Sequence, residues 1–397
     1  MRIIWVLNKV IFHLLVIYFL VSCQLIPVQP TTPVYLTFDT AIRSLSYNLI
    51  RQLQHQPWPV ITPSADVVIN PFVAAESGQV VQASLDIEAL LLDEIPKKFT
   101  QLQVSRLTPE SLKTAHYLIN GFIKSEGNLD KSSKKYYQVV ASILDLTHHT
   151  IVARSQMGIV SPGLNYQPTP SYEDNPMYIK DKLLDNLMSI VESPVGTPVN
   201  TNAYATITTK ASLAEAQAAY DKGQYELAYR LFKNMVQPPS GKVMEAYGGL
   251  YSSAFKLGKL KEAEENFAHM VVLGVKAGNL PVKLLFQPDL TKFLAESSLR
   301  QQYTIWLKQI SQYFKEHSQQ CVNIIGHTSQ FGLYEYNKRL YKRRAEKIQS
   351  LMQSIFAGII HRSRSIGKGP DETIVGTIPD NAENAIDRRV EFKIVDC

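Results

Sequence analysis

Apolar residues recur along this chain with two periods, and the switches between them outline its parts. Ile42, Leu45, Leu49 and Leu53 fall at helical spacing and predict a helix over 41–54. Val67-Val68-Ile69-Asn70-Pro71-Phe72-Val73 then reads as a buried strand. A second helix is expected from about Gln82 to Ile95, followed by strands at Phe99–Val104, His116–Ile123, Tyr136–Leu146 and Ile151–Gly158. That order predicts an α/β domain with a largely antiparallel sheet over residues 34–192. Pro, Gly, Thr and Asn crowd residues 193–209, the composition of a linker. Beyond it the chain repeats itself, because Gly223, Tyr225, Ala228, Phe232 and Met235 recur as Gly258, Leu260, Ala263, Phe267 and Met270, each pair 35 residues apart. A short helical module over 210–280 follows from that period. Lastly, Val322, Ile324 and Ile325 predict a buried strand stopped by Gly326. Leu340, Ala345, Ile348, Leu351 and Met352 predict a helix over 336–354.

The amino terminus is organised differently. Arg2 and Lys9 precede an apolar run from Val10 to Val21 that closes on Leu20-Val21-Ser22-Cys23. The run is shorter than the ~20 residues of a spanning helix. It resembles the lipobox of bacterial lipoproteins, which implies a signal peptide over 1–22 and acylation, palmitate included, of Cys23. Gln24 rather than Asp follows the cysteine, which in enteric-type bacteria implies export to the outer membrane. Pro27, Pro30 and Pro33 make 23–33 an extended tether. Removal of residues 1–22 leaves 375 residues, enough for two or three domains, and brings the formal charge from +6 to +4. With Lys and Arg spread along the chain, this is no nucleic-acid signature.

The stretch Gly326-His327-Thr328-Ser329-Gln330-Phe331-Gly332, followed by Asn337, Leu340, Arg343, Arg344 and Ala345, resembles the core motif of OmpA-like domains. Asp387-Arg388-Arg389-Val390-Glu391-Phe392 matches the closing strand of that family. The resemblance covers about 281–397. It implies a βαβαβ fold and non-covalent binding of peptidoglycan through diaminopimelate in the stem peptide. Thr328, Ser329, Asn337, Arg344 and Arg389 are the implied contacts. In the family an Asp holds the ligand ammonium and an Arg forks onto its carboxylate. Arg344 is kept, whereas Ser329 stands where the Asp would be. Glu335 is a candidate substitute for the missing charge, and Arg343 reads as a solvated helix face.

Two cysteines remain besides Cys23. If the strands around them pair antiparallel, as the same resemblance implies, Cys321 and Cys397 lie close enough for a bridge; two free thiols are the alternative. The 35-residue period resembles the tetratricopeptide repeat, whose period is about 34 and in which Gly turns the hairpin while Ala and Phe pack it. Two units are fewer than usually stack alone, so the pair must lean on a neighbour. Such a module implies either a surface for envelope-complex proteins or a spacer. Residues 34–192 resemble, loosely, the domain shared by flagellar-outer-membrane lipoproteins, the curli secretion subunit and the start of TolB. The likeness rests on Glu76-Ser77-Gly78, Leu118-Ile119-Asn120-Gly121 and Ala141-Ser142-Ile143-Leu144-Asp145-Leu146.

Chemistry-bearing motifs are scarce. No Gly-x4-Gly-Lys-Ser/Thr loop, His-Glu-x2-His helix or Gly-x-Ser-x-Gly elbow occurs, and Gly367-Lys368-Gly369-Pro370 is expected in a variable loop before the last strand. His148-His149 reads as turn solvation rather than metal binding. Tyr166, Tyr172 and Tyr178 in the Pro-rich segment 161–176 and just after it suggest packing on the domain itself or a docking loop. No catalytic residue, metal or cofactor is expected. The whole reads as an α/β multidomain lipoprotein on the outer membrane, facing the periplasm. It would link that membrane to the wall, or serve a secretion, motility or pilus machine as a subunit or assembly factor.

Overall fold

A computed structural model of the chain describes residues 34–54, 65–127, 134–162, 164–177, 182–287, 289–327, 333–369 and 389–397. The expected leader, Cys23 and the tether lie outside the described residues. The amino-terminal elements are β1 (Tyr35–Leu36), α1 (Phe38–Gln54), β2 (Ala65–Ile69), β3 (Val73–Ala74), α2 (Gln82–Lys98), β4 (Leu102–Arg106) and α3 (Pro109–Thr114). They continue with β5 (Tyr117–Gly127), β6 (Lys135–Asp145), β7 (Thr150–Ser161), a single turn α4 (Pro170–Glu173) and α5 (Lys182–Glu192).

These strands form one sheet in the order β1-β7-β6-β5-β2-β4, with β3 alongside β5. The antiparallel expectation holds for the β5-β6-β7 meander, where short turns connect neighbours. It fails elsewhere, since β1 runs parallel to β7, and β2 runs parallel to both β4 and β5. The reason is the intervening helices: β2 reaches β4 across α2, and a crossover through a helix sets strands parallel. Ile42, Leu45, Ile87 and Leu91 of α1 and α2 cover one face of the sheet. On the other face Leu184, Leu187 and Val191 of α5 cover Phe122 and Val140, while Ile207 and Ala211 join Leu118 and Leu144. Coverage on both faces explains why β6 reads as an almost continuous apolar run.

Residues 193–209, expected as a linker, are helical from Thr201. Helix α6 (Thr201–Asp221) pairs with α7 (Tyr225–Met235), and α8 (Met244–Lys256) pairs with α9 (Leu260–Lys276). The repeated glycines turn both hairpins with φ of +73° at Gly223 and +70° at Gly258. The amide after each glycine returns to the carbonyl five residues back, Gln224 to Ala219 at 3.0 Å and Lys259 to Ala254 at 2.9 Å, the helix-ending geometry that glycine permits. Ala228, Phe232, Ala263 and Phe267 are fully buried between the helices. Their neighbour is the carboxy-terminal domain: Phe267 stacks on Trp306 at 5.9 Å, and Trp306 Nε1 donates to the Tyr251 hydroxyl at 2.7 Å. Both regions share one apolar core.

The last elements are β8 (Asn279–Val282), α10 (Ser297–Glu316), β9 (Gln320–His327), α11 (Tyr334–Ile355), β10 (Ser363–Gly369) and β11 (Val390–Asp396). The βαβαβ order is thus completed by a further strand. The sheet runs β10-β9-β11-β8, with β9 parallel to β10 and β11 antiparallel to both its neighbours. The expected boundary at 281 falls inside β8, so the domain starts slightly earlier. The expected variable loop at 367–369 is the end of β10, while Pro370 lies outside the described residues. Among the described residues no helix is long and apolar enough to cross a membrane.

Cys321 opens β9 opposite Val395, and it is bonded to Cys397 with a Cα separation of 5.0 Å. Cross-linking residues 76 apart limits the unfolded chain and stabilises by about 4.5 kcal/mol on chain-entropy grounds. Reduction, or Cys397→Ser, is therefore expected to lower the urea midpoint of unfolding. An unchanged midpoint would show that the bridge contributes nothing in solution.

Candidate ligand site at the end of strand β9

The OmpA-like motif straddles a strand and a helix that touch through glycine. A methyl group on Gly326 would lie 2.5 Å from the Tyr341 carbonyl oxygen, and one on Gly367 would lie 2.4 Å from that of Lys338. Any side chain at either position would lift α11 off β9 and β10. The two glycines thereby place Asn337 and Arg344, both buried on α11, against the carboxyl end of the sheet. Thr328 and Ser329 fall between β9 and α11, outside the described residues. Glu335 and Arg343 are exposed.

Arg344 is held from several sides. Its Nε donates to the Leu290 carbonyl at 2.9 Å and its Nη2 to that of Gln287, also at 2.9 Å. The guanidinium lies over the rings of Phe286 and Tyr341, 4.9 and 4.6 Å from their centroids. Phe286 pairs with Phe293 across a short bridge, so the loop leading from β8 to α10 folds over the arginine. Only 4% of Arg344 is exposed. The sequence marked Arg344 but not this enclosure. The paired phenylalanines seven residues apart are the one signal that could have pointed to it.

Arg389, just before β11, is buried and held by the strand it precedes. Its Nε donates to Glu391 Oε1 at 2.6 Å, while Glu391 Oε2 lies 3.5 Å from Nε2 of the fully buried His327, an ion-pair distance. Burial alone would raise the Glu391 carboxyl, but polar contact with His327 and the charge of Arg389 overcome it and hold it down at about 2. These three residues fasten the first residues of β11 to the end of β9.

The OmpA family matches residues 295–385. The carboxy-terminal domain is OmpA-like. Among solved structures, the peptidoglycan-associated lipoprotein of Burkholderia pseudomallei is 26% identical, covers 28% of this chain and 88% of its own, and superposes with a TM-score of 0.25. The cell wall anchor of the T6SS from Pseudomonas aeruginosa is 17% identical, covering 33% of this chain and 97% of its own at a TM-score of 0.26. A MotB-like protein of Desulfovibrio vulgaris is 18% identical over 35% of this chain and 95% of its own, with a TM-score of 0.26. No curated protein matches the sequence.

Away from the OmpA-like domain, the sequence candidates are structural. His148 Nδ1 lies 2.9 Å from Asp145 Oδ2, and His149 turns the β6–β7 hairpin with φ of +52°. Among the described residues no cluster of His, Cys, Asp or Glu could hold a metal ion. Tyr166 stacks on Tyr137 with centroids 5.5 Å apart, and Tyr172 is buried, so these two pack on the chain itself. Tyr178 lies outside the described residues.

Glu391 fixes a pH dependence. Its folded value of about 2 lies below the 4.5 of a free glutamate, so its contribution is complete above about 4.5 and is lost as pH falls through 2. Over that window the loss should reach roughly 3 kcal/mol. Chemical denaturation of wild type and Glu391→Gln at pH 6 and pH 2.5 should show the difference between them shrinking in acid. A constant difference would mean that the carboxylate is not held in this way.

Proposed function

We propose that this protein is an outer-membrane lipoprotein that binds peptidoglycan non-covalently through its OmpA-like domain and so links the outer membrane to the wall. The observation that carries this reading is the family match over residues that include Arg344, set on α11 beside the end of β9. The amino-terminal lipobox resemblance supplies the membrane end. Diaminopimelate in a stem peptide offers a carboxylate and an ammonium. The Arg344 guanidinium, whose Nε and Nη2 donate to the Leu290 and Gln287 carbonyls, would meet that carboxylate. The Gln287 and Leu290 carbonyls pre-set the plane of the guanidinium for that contact. Thr328, Ser329 and Asn337 would complete the pocket, with the Ser329 hydroxyl meeting the ammonium. Arg389 would contribute by holding the β11 end.

The test uses the soluble chain from residue 24 and purified sacculi, because the repeats and the OmpA-like domain share a core. Wild type should co-sediment, and Arg344→Ala should lose retention. Ser329→Asp should bind about tenfold tighter, since a charge-assisted bond contributes roughly 1.5–3 kcal/mol against about 0.5–1.5 for a neutral one. Wild type left in the supernatant would overturn wall binding. If Ser329→Asp alone were retained, the domain would have kept its fold and lost the activity.

Anchoring is checked separately. Cys23→Ala should leave the precursor uncleaved and without acyl mass in intact mass spectrometry. A wild-type protein released from membranes without detergent would rule out the lipid anchor.

A second reading has its own support. Residues Tyr35–Cys397 form one compact unit, and simple tethering requires little of the chain before β8. In that reading the protein is a subunit or assembly factor of an envelope machine, with the wall-binding domain positioning the complex and the amino-terminal domain meeting partners. Loss of secretion, motility or piliation in a deletion strain, without loss of envelope integrity, would favour it.

A further inference from the structure

The two helical hairpins present the first helix of each, α6 and α8, side by side. On α6, Lys210, Gln217 and Asp221 lie on one stripe; on α8, Glu245, Gly248, Ser252 and Lys256 do the same. Lys210 and Glu245, Gln217 and Ser252, and Asp221 and Lys256 are each 35 residues apart, so they hold equivalent positions in the two repeats. Every one of these pairs is committed to the same object, the segment Thr169–Met177 of this chain, or to a residue that grips it.

The contacts are specific along the whole segment. The Ser171 amide donates to Asp221 Oδ1 at 2.7 Å, and the Tyr172 hydroxyl donates to Glu245 Oε1 at 3.0 Å. Glu245 is in turn held by the buried Lys210 ammonium at 2.9 Å, and Gln217 also reaches the Tyr172 hydroxyl. Asp174 accepts from the Tyr220 hydroxyl at 2.7 Å and pairs with Lys256 at 2.9 Å, while its carbonyl accepts from Ser252 Oγ at 3.0 Å. Asn175 seats against Gly248, where an added methyl would come within 2.2 Å of its amide nitrogen. At the end of the segment, the Lys283 amide donates to the Pro176 carbonyl at 3.0 Å, and Met177 bridges to Val282 of β8. At its start, the Thr169 amide donates to the Val80 carbonyl at 3.1 Å.

A groove of paired repeat positions that reads a tyrosine, a carboxylate and an amide in order has the character of a peptide-binding site. We propose that the helical pair is such a site, that its ligand is residues 169–177 of the same chain, and that the resulting clamp couples the amino-terminal sheet rigidly to the OmpA-like domain. The strap touches the first domain at Val80, both repeats along its length, and the carboxy-terminal sheet at β8. The groove is therefore filled from within, and an outside protein reaches it only by displacing the strap. Rigidity follows from this occupancy and does not rest on what the OmpA-like domain binds.

The experiment measures inter-domain distance and groove occupancy in the full chain. Spin labels on Glu110→Cys and Lys342→Cys report the two ends; both side chains are well exposed, at 80% and 60%. Wild type should give one narrow distance distribution by double electron–electron resonance. Asp174→Lys, which sets like charge against Lys256, and Gly248→Leu, which fills the Asn175 seat, should each broaden it, with helical circular dichroism unchanged. A fluorescent peptide of sequence Thr-Pro-Ser-Tyr-Glu-Asp-Asn-Pro-Met should bind Asp174→Lys at least tenfold tighter than wild type. A distribution that stays narrow in both variants, or a wild type that takes the peptide as well as the variant does, would overturn the proposal. Asp174→Asn keeps the Tyr220 acceptor without the charge, and it should fall between wild type and Asp174→Lys; equivalence to Asp174→Lys would count against recognition of the segment in the groove.

Discussion

Backbone pairing on β8 is the constraint from which the arrangement of this molecule follows. Four residues, Asn279–Val282, pair with β11 along their length, follow directly from the last repeat helix, and meet the strap at Val282. An edge strand normally offers a row of unpaired amides and carbonyls, which folded proteins cover or shorten. Here the strap supplies part of that cover. The strand cannot be withdrawn from the carboxy-terminal sheet without disturbing the repeats, and the repeats cannot be removed without baring the Trp306 face of α10. The two hairpins are too few to stack alone, and what completes them is the fifth helix that α10 provides.

The buried charges around the strap sharpen the same point. Lys283 points inward and donates to the Tyr172 and Glu173 carbonyls, and burial brings its ammonium down to about 7 despite the nearby Asp174 and Glu173. Lys210 and Glu245 are also out of solvent. Charged groups taken from water need defined partners in defined places, so such contacts favour one seating of the strap over other compact arrangements even where their net contribution to stability is small.

Much of this was legible in the sequence, and the omissions have physical causes. Helical periodicity marked α1, α2 and α11, and the 35-residue recurrence marked both hairpin turns, because glycine at positive φ and fully buried Ala and Phe leave a clear pattern. Strand direction was not legible, since a strand carries the same alternation whichever way it runs and only the connecting helices set it. Helix α6 was missed at its start because Thr201, Asn202, Thr206, Thr208 and Thr209, weak helix formers, give that stretch the composition of a linker. The strap was invisible for a further reason. Its hold comes from hydroxyl, carboxylate and backbone contacts across 46 to 111 positions of sequence, which no local period records. At the candidate site, the motif marked Arg344, but the carbonyls that orient it belong to loop backbone, which has no residue signature.

The ladder between β9 and β11 has a mechanical side. Seven consecutive residue pairs, from Gly326 with Val390 to Gln320 with Asp396, run between the Gly326 end and the bridged end of these strands. A pull along β9 from its Gly326 end meets those hydrogen bonds crosswise, so they are strained together rather than opened one after another. At the far end of the ladder the Cys321–Cys397 bond sets a covalent stop. The strand that presents the motif is thus built to resist sliding, and a force arriving there passes into the sheet as shear before it reaches any helix.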